Sequence, residues 1–150
     1  MPISIHERVE TARTGTNPTV ICRVPSGWVV LSDTQFLRGY TVLLPDPIVS
    51  SLNDLSREKR SEYLFDMAMI GDALIEVTGA YRINYAILGN SEPVLHAHII
   101  PRYLDEPEEY RKNVPWSHPD SVKDSMPFDY ERDKPLIEQL KKAILRRSAT

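Results

Sequence analysis

The chain is 150 residues long and carries 18 basic against 21 acidic side chains, a net charge of −3. A hydrophobic fraction of 41% and a charged fraction of 26% fit one globular domain and exclude a disordered chain. It has no concentrated basic stripe and no apolar run of about 20 residues, so neither a nucleic-acid partner nor a membrane is expected.

The first residues, MPISIHERVETARTG, lack the basic-then-apolar pattern of a secretory signal. Ile3, Ile5 and Val9 recur among charges up to Arg13, and Gly15 follows, which predicts a short amphipathic helix. Thr19 to Arg23 and Trp28 to Leu31 are β-branched runs flanking Pro25-Ser26-Gly27, and they predict a hairpin. The single cysteine, Cys22, cannot form an internal disulfide and fits a reducing compartment such as the cytoplasm. Tyr40 to Leu44 predicts a third strand, stopped by Pro45 and Pro47.

From Glu58 to Val77 the residues Leu64, Met67, Ile70, Ala73, Leu74 and Val77 recur at three- and four-residue steps. They predict a long helix with Ser56 as N-cap and Gly79 as C-cap. Tyr81 to Leu88 and Val94 to Arg102 predict two more strands, joined through Gly89-Asn90-Ser91-Glu92-Pro93. This order predicts an α+β domain with a long helix on one face of a mainly antiparallel five-stranded sheet. Six of the twelve prolines fall between positions 101 and 135, so a long irregular segment is expected to wrap over the domain or a site. Leu136, Ile137, Leu140 and Ile144 then predict a last helix docked on the domain.

His96-Ala97-His98 is the one dense group of potential catalysts. Alternate residues of a strand share a face, so both imidazoles project to one side while Leu95, Ala97 and Ile99 pack beneath the helix. The neighbouring Gly89-Asn90-Ser91 turn offers backbone N–H groups, an amide and a hydroxyl, which can hold phosphate oxygens. Two buried imidazoles without a function would each need hydrogen-bond partners. A His-x-His pair also serves metal sites, but zinc or iron calls for a further ligand, and no other histidine lies nearby in sequence. His6 and His118, each alone, read as surface or internally satisfied residues. Trp28 reads as core, and Trp116 as a packing anchor, with closure over a base or a subunit contact as its alternatives.

The stretch from Gly89-Asn90-Ser91 through Leu95-His96-Ala97-His98-Ile99-Ile100-Pro101-Arg102 resembles the signature of the histidine-triad (HIT) family of nucleotide hydrolases and transferases. The hairpin, Asp33 to Pro45, Leu52-Asn53-Asp54-Leu55-Ser56 and the long helix follow in that family's order, over roughly residues 18 to 103. Two positions depart from it. Val94 stands at the first of the three motif histidines, and Tyr40 where many members carry a further active-site histidine.

The resemblance implies a single HIT-like domain over residues 1–150, with residues 104–150 as a C-terminal extension. It makes His96 a nucleophile toward the α-phosphate of a nucleotide, carrying the nucleoside monophosphate until water releases it. A neutral imidazole, with an ordinary pKa of about 6.5, suits that role. His98 would bond a non-bridging phosphate oxygen, and Asn90 and Ser91 the phosphate or the leaving group. Ribose hydroxyls fall to Asp33, whose carboxylate can accept from both, or to Ser32 one register away; a turn cap is the plain alternative for Asp33. Arg102 is either a support for phosphate charge or, more simply, a surface ion pair. Dinucleoside polyphosphates such as diadenosine tetraphosphate are the favoured substrates, with phosphoramidates and nucleotidylated sugars behind them. No cofactor or metal is implied beyond a divalent ion accompanying a polyphosphate, and the expected assembly is a homodimer joined edge to edge. A non-catalytic nucleotide-binding module and a metal-dependent hydrolase built on His96 and His98 are the competing readings.

Overall fold

The structure, a computed structural model, describes residues 3–148. Helix α1 (Ile5–Thr14) starts at Ser4, whose side chain accepts from the Glu7 N–H, and stops at Gly15 in the left-handed region. Strands β1 (Val20–Val24) and β2 (Gly27–Leu31) form the expected hairpin, followed by β3 (Thr41–Pro45). Helix α2 (Arg57–Thr78) has the Ser56 and Gly79 caps expected from sequence. Strands β4 (Arg82–Ala86) and β5 (Ala97–Arg102) complete an antiparallel sheet in the order β1-β2-β3-β5-β4. The α+β expectation therefore holds. Among the described residues no helix is long and apolar enough to cross a membrane.

Beyond β5 the chain makes two single-turn helices, α3 (Glu108–Arg111) and α4 (Asp120–Lys123), before helix α5 (Tyr130–Ser148). Leu136, Ile137, Leu140 and Ile144 on α5 join the same cluster as Val29, Leu43, Ala97 and Ile99 of the sheet and Ile70, Ala73 and Leu74 of α2. One face of the sheet thus carries both long helices. Two smaller clusters cover the other face. Ile5 and Val9 of α1 pack on Val30, Leu44 and Val94, while Leu37 and Tyr40 pack on Ile100 with Phe36 and Tyr103 at their edge. The histidines lie between these two covers.

Three elements differ from the sequence expectation. The last strand begins at Ala97 rather than Val94, because ladder pairing with β3 ends at Leu43 opposite Ala97. Upstream of that point the Leu95 N–H donates to the Val49 carbonyl instead. On α2 the buried row includes Tyr63 and Asp66, while Leu64 is 37% exposed. Buried Asp66 is satisfied by the Ser26 N–H, and the Tyr63 hydroxyl donates to the Leu43 carbonyl. Finally, β4 is shorter than the run Tyr81 to Leu88, and among the described residues its outer edge carries no further strand.

Candidate active site

His98 sits in β5 opposite Val42 of β3 and Ala86 of β4, and its ring rises from the sheet face opposite the two long helices. His96 lies one residue before the strand, yet its ring still meets that of His98 edge-on, with centroids 5.0 Å apart. The shared face expected from the two-residue step is therefore present. His96 Nδ1 is 2.7 Å from the Val94 carbonyl oxygen. A carbonyl only accepts, so in the neutral ring Nδ1 carries the proton and Nε2 is left with a free lone pair. That is the protonation a nucleophilic imidazole needs.

His98 Nδ1 lies 2.7 Å from the Tyr40 hydroxyl. Burial, and secondarily the neighbouring His96, pushes the His98 pKa down to about 4, so the ring is neutral near pH 7. Burial likewise raises the Tyr40 phenol well above its ordinary value, with the Trp116 side chain as the smaller opposing influence. Trp116 sits in a 3-10 turn, Pro115–Ser117, and meets His98 edge-on at 5.6 Å. The packing expectation for Trp116 holds, but what it packs on is the histidine pair. Trp28 is half-buried, with its indole N–H donated to Asp46.

Two clefts meet at His96. The first, of about 230 Å³, is lined by Arg8 of α1, Val30, Ser32, Asp33, His96 and His98 among others. The second, of about 330 Å³, runs along Ser50, Ser51, Asn53, Gly89 and Val94 to the far side of His96. Asp33 and Ser32 are therefore placed with the histidines. Asn90 and Ser91 are exposed in the turn after β4 and line neither cleft, although Gly89 lines the second. Asp33 is held by Arg8 in a two-pronged ion pair at 3.0 and 2.5 Å, and the Ile5 N–H donates to Glu92 at 2.8 Å. These contacts latch α1 over one side of the first cleft. Nothing in the sequence around Arg8 pointed to this.

Arg102 is neither a surface ion pair nor a phosphate support. It is 2% exposed, and its five N–H groups go to Glu106, Asn84 and the carbonyls of Tyr110 and Asn113. Burial would raise the Glu106 pKa, but Arg102, the Tyr103 N–H and His118 together hold it below its ordinary value. His118 is an internally satisfied histidine, its Nε2 2.8 Å from Glu106. Through these contacts residues 103–118 are fastened to the histidine face and Trp116 is brought against His98. The wrapping expected of the proline-rich segment is thus directed at the site. The Cys22 thiol is buried and pushed up to about 12 by desolvation, so it takes no part as a nucleophile. Among the described residues no group of three or more His, Cys, Asp or Glu is gathered to hold a metal ion.

No family model and no curated protein matches the sequence. Solved structures do match. A histidine-triad protein from Bradyrhizobium japonicum is 25% identical, with a TM-score of 0.66 over 83% of this chain and 89% of its own. A histidine-triad protein from Marinobacter aquaeolei VT8 is 22% identical, with a TM-score of 0.70 over 94% and 95%. The diadenosine triphosphate hydrolase of Plasmodium falciparum is 15% identical, with a TM-score of 0.64 over 87% and 79%. What these proteins have in common with the chain is the five-stranded sheet and the helices laid on it, and that architecture is the histidine-triad fold.

Proposed function

We propose that the protein is a nucleotide hydrolase or nucleotidyl transferase that acts at an α-phosphate through a covalent intermediate on His96. The observation that carries the reading is the His96 Nδ1 to Val94 carbonyl hydrogen bond, which leaves Nε2 as a lone-pair donor between two clefts. In this reading the nucleoside lies in the first cleft, against Val30, Val42 and Leu44, with its ribose toward Asp33. His96 Nε2 attacks phosphorus and the P–O or P–N bond to the leaving group breaks. Water then cleaves the P–N bond to His96 and releases the nucleoside monophosphate. His98 supplies a donor to a non-bridging oxygen as charge redistributes. Asn90 and Ser91 remain the proposed contacts to the phosphate or leaving group, reached by movement of their exposed turn.

Dinucleoside polyphosphates are the favoured substrates, a class to which the Plasmodium hydrolase gives support by its own activity. A second reading, the nucleoside phosphoramidates, is favoured by the second cleft: its lining has hydroxyls and an amide but no lysine or arginine to meet a charged leaving group. A homodimer is proposed through the outer edge of β4, flanked by exposed Tyr81, Tyr85 and Leu88.

Rapid quench with a labelled nucleotide tests the mechanism. The label is expected on the peptide from Val94 to Arg102, at His96, acid-labile and stable to mild base. Label on Ser91, or a bound metal with no label even in the slowed His98→Ala variant, would sink the proposal. The ribose assignment has its own test. Asp33→Ala is expected to weaken ribonucleotides by about 1.5–3 kcal/mol relative to 2′-deoxyribonucleotides. An equal effect on both sugars would return Asp33 to a purely structural partner of Arg8, and a selective effect from Ser32→Ala alone would move the contact by one residue.

A further inference from the structure

We infer that Tyr40 is a positioning residue that holds His98 in the tautomer with its proton on Nε2, facing the cleft. The inference rests on the nucleotide-transfer reading for its catalytic consequence, but the tautomer itself does not.

The argument is one of hydrogen-bond accounting. The Tyr40 side chain is buried, at 4% exposure, and its hydroxyl is 2.7 Å from His98 Nδ1. A phenol O–H buried in this way calls for an acceptor. Among the described residues the acceptor within reach of that proton is His98 Nδ1. Were Nδ1 to carry the imidazole proton instead, the phenol O–H would be buried without a partner. The Tyr40 O–H therefore donates to His98 Nδ1, and the proton of neutral His98 is left on Nε2. His98 lines the first cleft.

His96 and His98 are thereby fixed in opposite tautomers by two different devices. The Val94 carbonyl accepts the Nδ1–H of His96, and the Tyr40 hydroxyl donates its O–H to Nδ1 of His98. One ring presents a lone pair and its neighbour a donor, which is the pairing that attack on a phosphate with a negative non-bridging oxygen requires. Each ring's outer nitrogen is set by what its inner nitrogen bonds. The segment 103–118, pinned by Arg102 and Glu106, packs Trp116 edge-on against the His98 ring.

Ring-¹⁵N-labelled histidine tests the assignment by NMR near neutral pH. In the unaltered protein, His98 is expected to show an unprotonated Nδ1 and a protonated Nε2. Tyr40→Phe keeps the ring packing and deletes the donor, so His98 should shift toward the Nδ1–H form. In that variant kcat is expected to fall roughly 10–100-fold with KM within about twofold. Tyr40→His restores an N–H donor at the same place and is expected to recover the original tautomer and most of kcat. An Nδ1–H form of His98 in the unaltered protein, or no tautomer shift in Tyr40→Phe, overturns the inference. A tautomer shift in a protein inert toward every nucleotide would uphold this inference and overturn the proposed function instead, so the two failures are distinct.

Discussion

His96→Ala is expected to lower turnover by about 10⁴-fold or more while leaving the fold and nucleotide affinity largely intact. Loss of a nucleophile that acts as a unit with its partners removes most of the catalytic effect in one step. His96 is half-buried on the surface of the sheet, and its ring contacts His98 without anchoring either long helix. His98→Ala should cost less, about 10²–10³ in rate, because it deletes one donor among several. Steady-state kinetics on a panel of nucleotide phosphoanhydrides and phosphoramidates, beside equilibrium binding of a mononucleotide, separates the two effects. Wild-type turnover in His96→Ala would defeat the covalent mechanism, and tight binding with no turnover in the unaltered protein would favour a nucleotide-binding module.

The largest effect on stability is expected from Arg102→Ala. The change leaves Glu106 buried beside His118 without its main counter-charge, and frees the carbonyls of Tyr110 and Asn113. Removing one partner of a buried pair typically costs about 3–5 kcal/mol. For a domain of this size that is a fall in Tm of about 10 °C. Differential scanning calorimetry gives the magnitude, and limited proteolysis gives the place, with new cleavage expected between residues 103 and 129. An Arg102→Ala protein as stable and as protease-resistant as the original would mean that the buried pair does not hold this segment.

Those same residues show where reading the sequence succeeds and where it stops. The long helix was legible because Ser56 and Gly79 are chemically suited to its two ends and the apolar steps between them are regular. The fold class followed from the order of β-branched runs around that helix. The two-residue step from His96 to His98 placed both rings correctly even though the strand begins between them, since the segment before Ala97 is still extended toward the Val49 carbonyl. Arg102 was misread because a lone arginine at a strand end gives no sign of its partners. Glu106 is close in sequence, but Asn84, Tyr110 and Asn113 converge on it only through tertiary structure. Arg8 and Asp33 are 25 positions apart, and nothing local announces their pairing. Tyr40 stood out in sequence only as a departure from a resemblance. Its use as a donor to His98 became visible once β3 and β5 were paired.

The opening of His96 to two clefts rather than one bears on the order of chemical events. Under the proposed function, a departing group that leaves through the second cleft vacates the passage by which the next reactant approaches, while the nucleoside stays seated in the first. Release of the first product before entry of the acceptor is ping-pong behaviour, with parallel lines in double-reciprocal plots. Whether the protein works as a hydrolase or as a transferase then becomes a partition ratio, set by how well an alcohol or phosphate competes with water along Ser50, Ser51 and Asn53. Residues that never touch the nucleoside would thus decide which product accumulates.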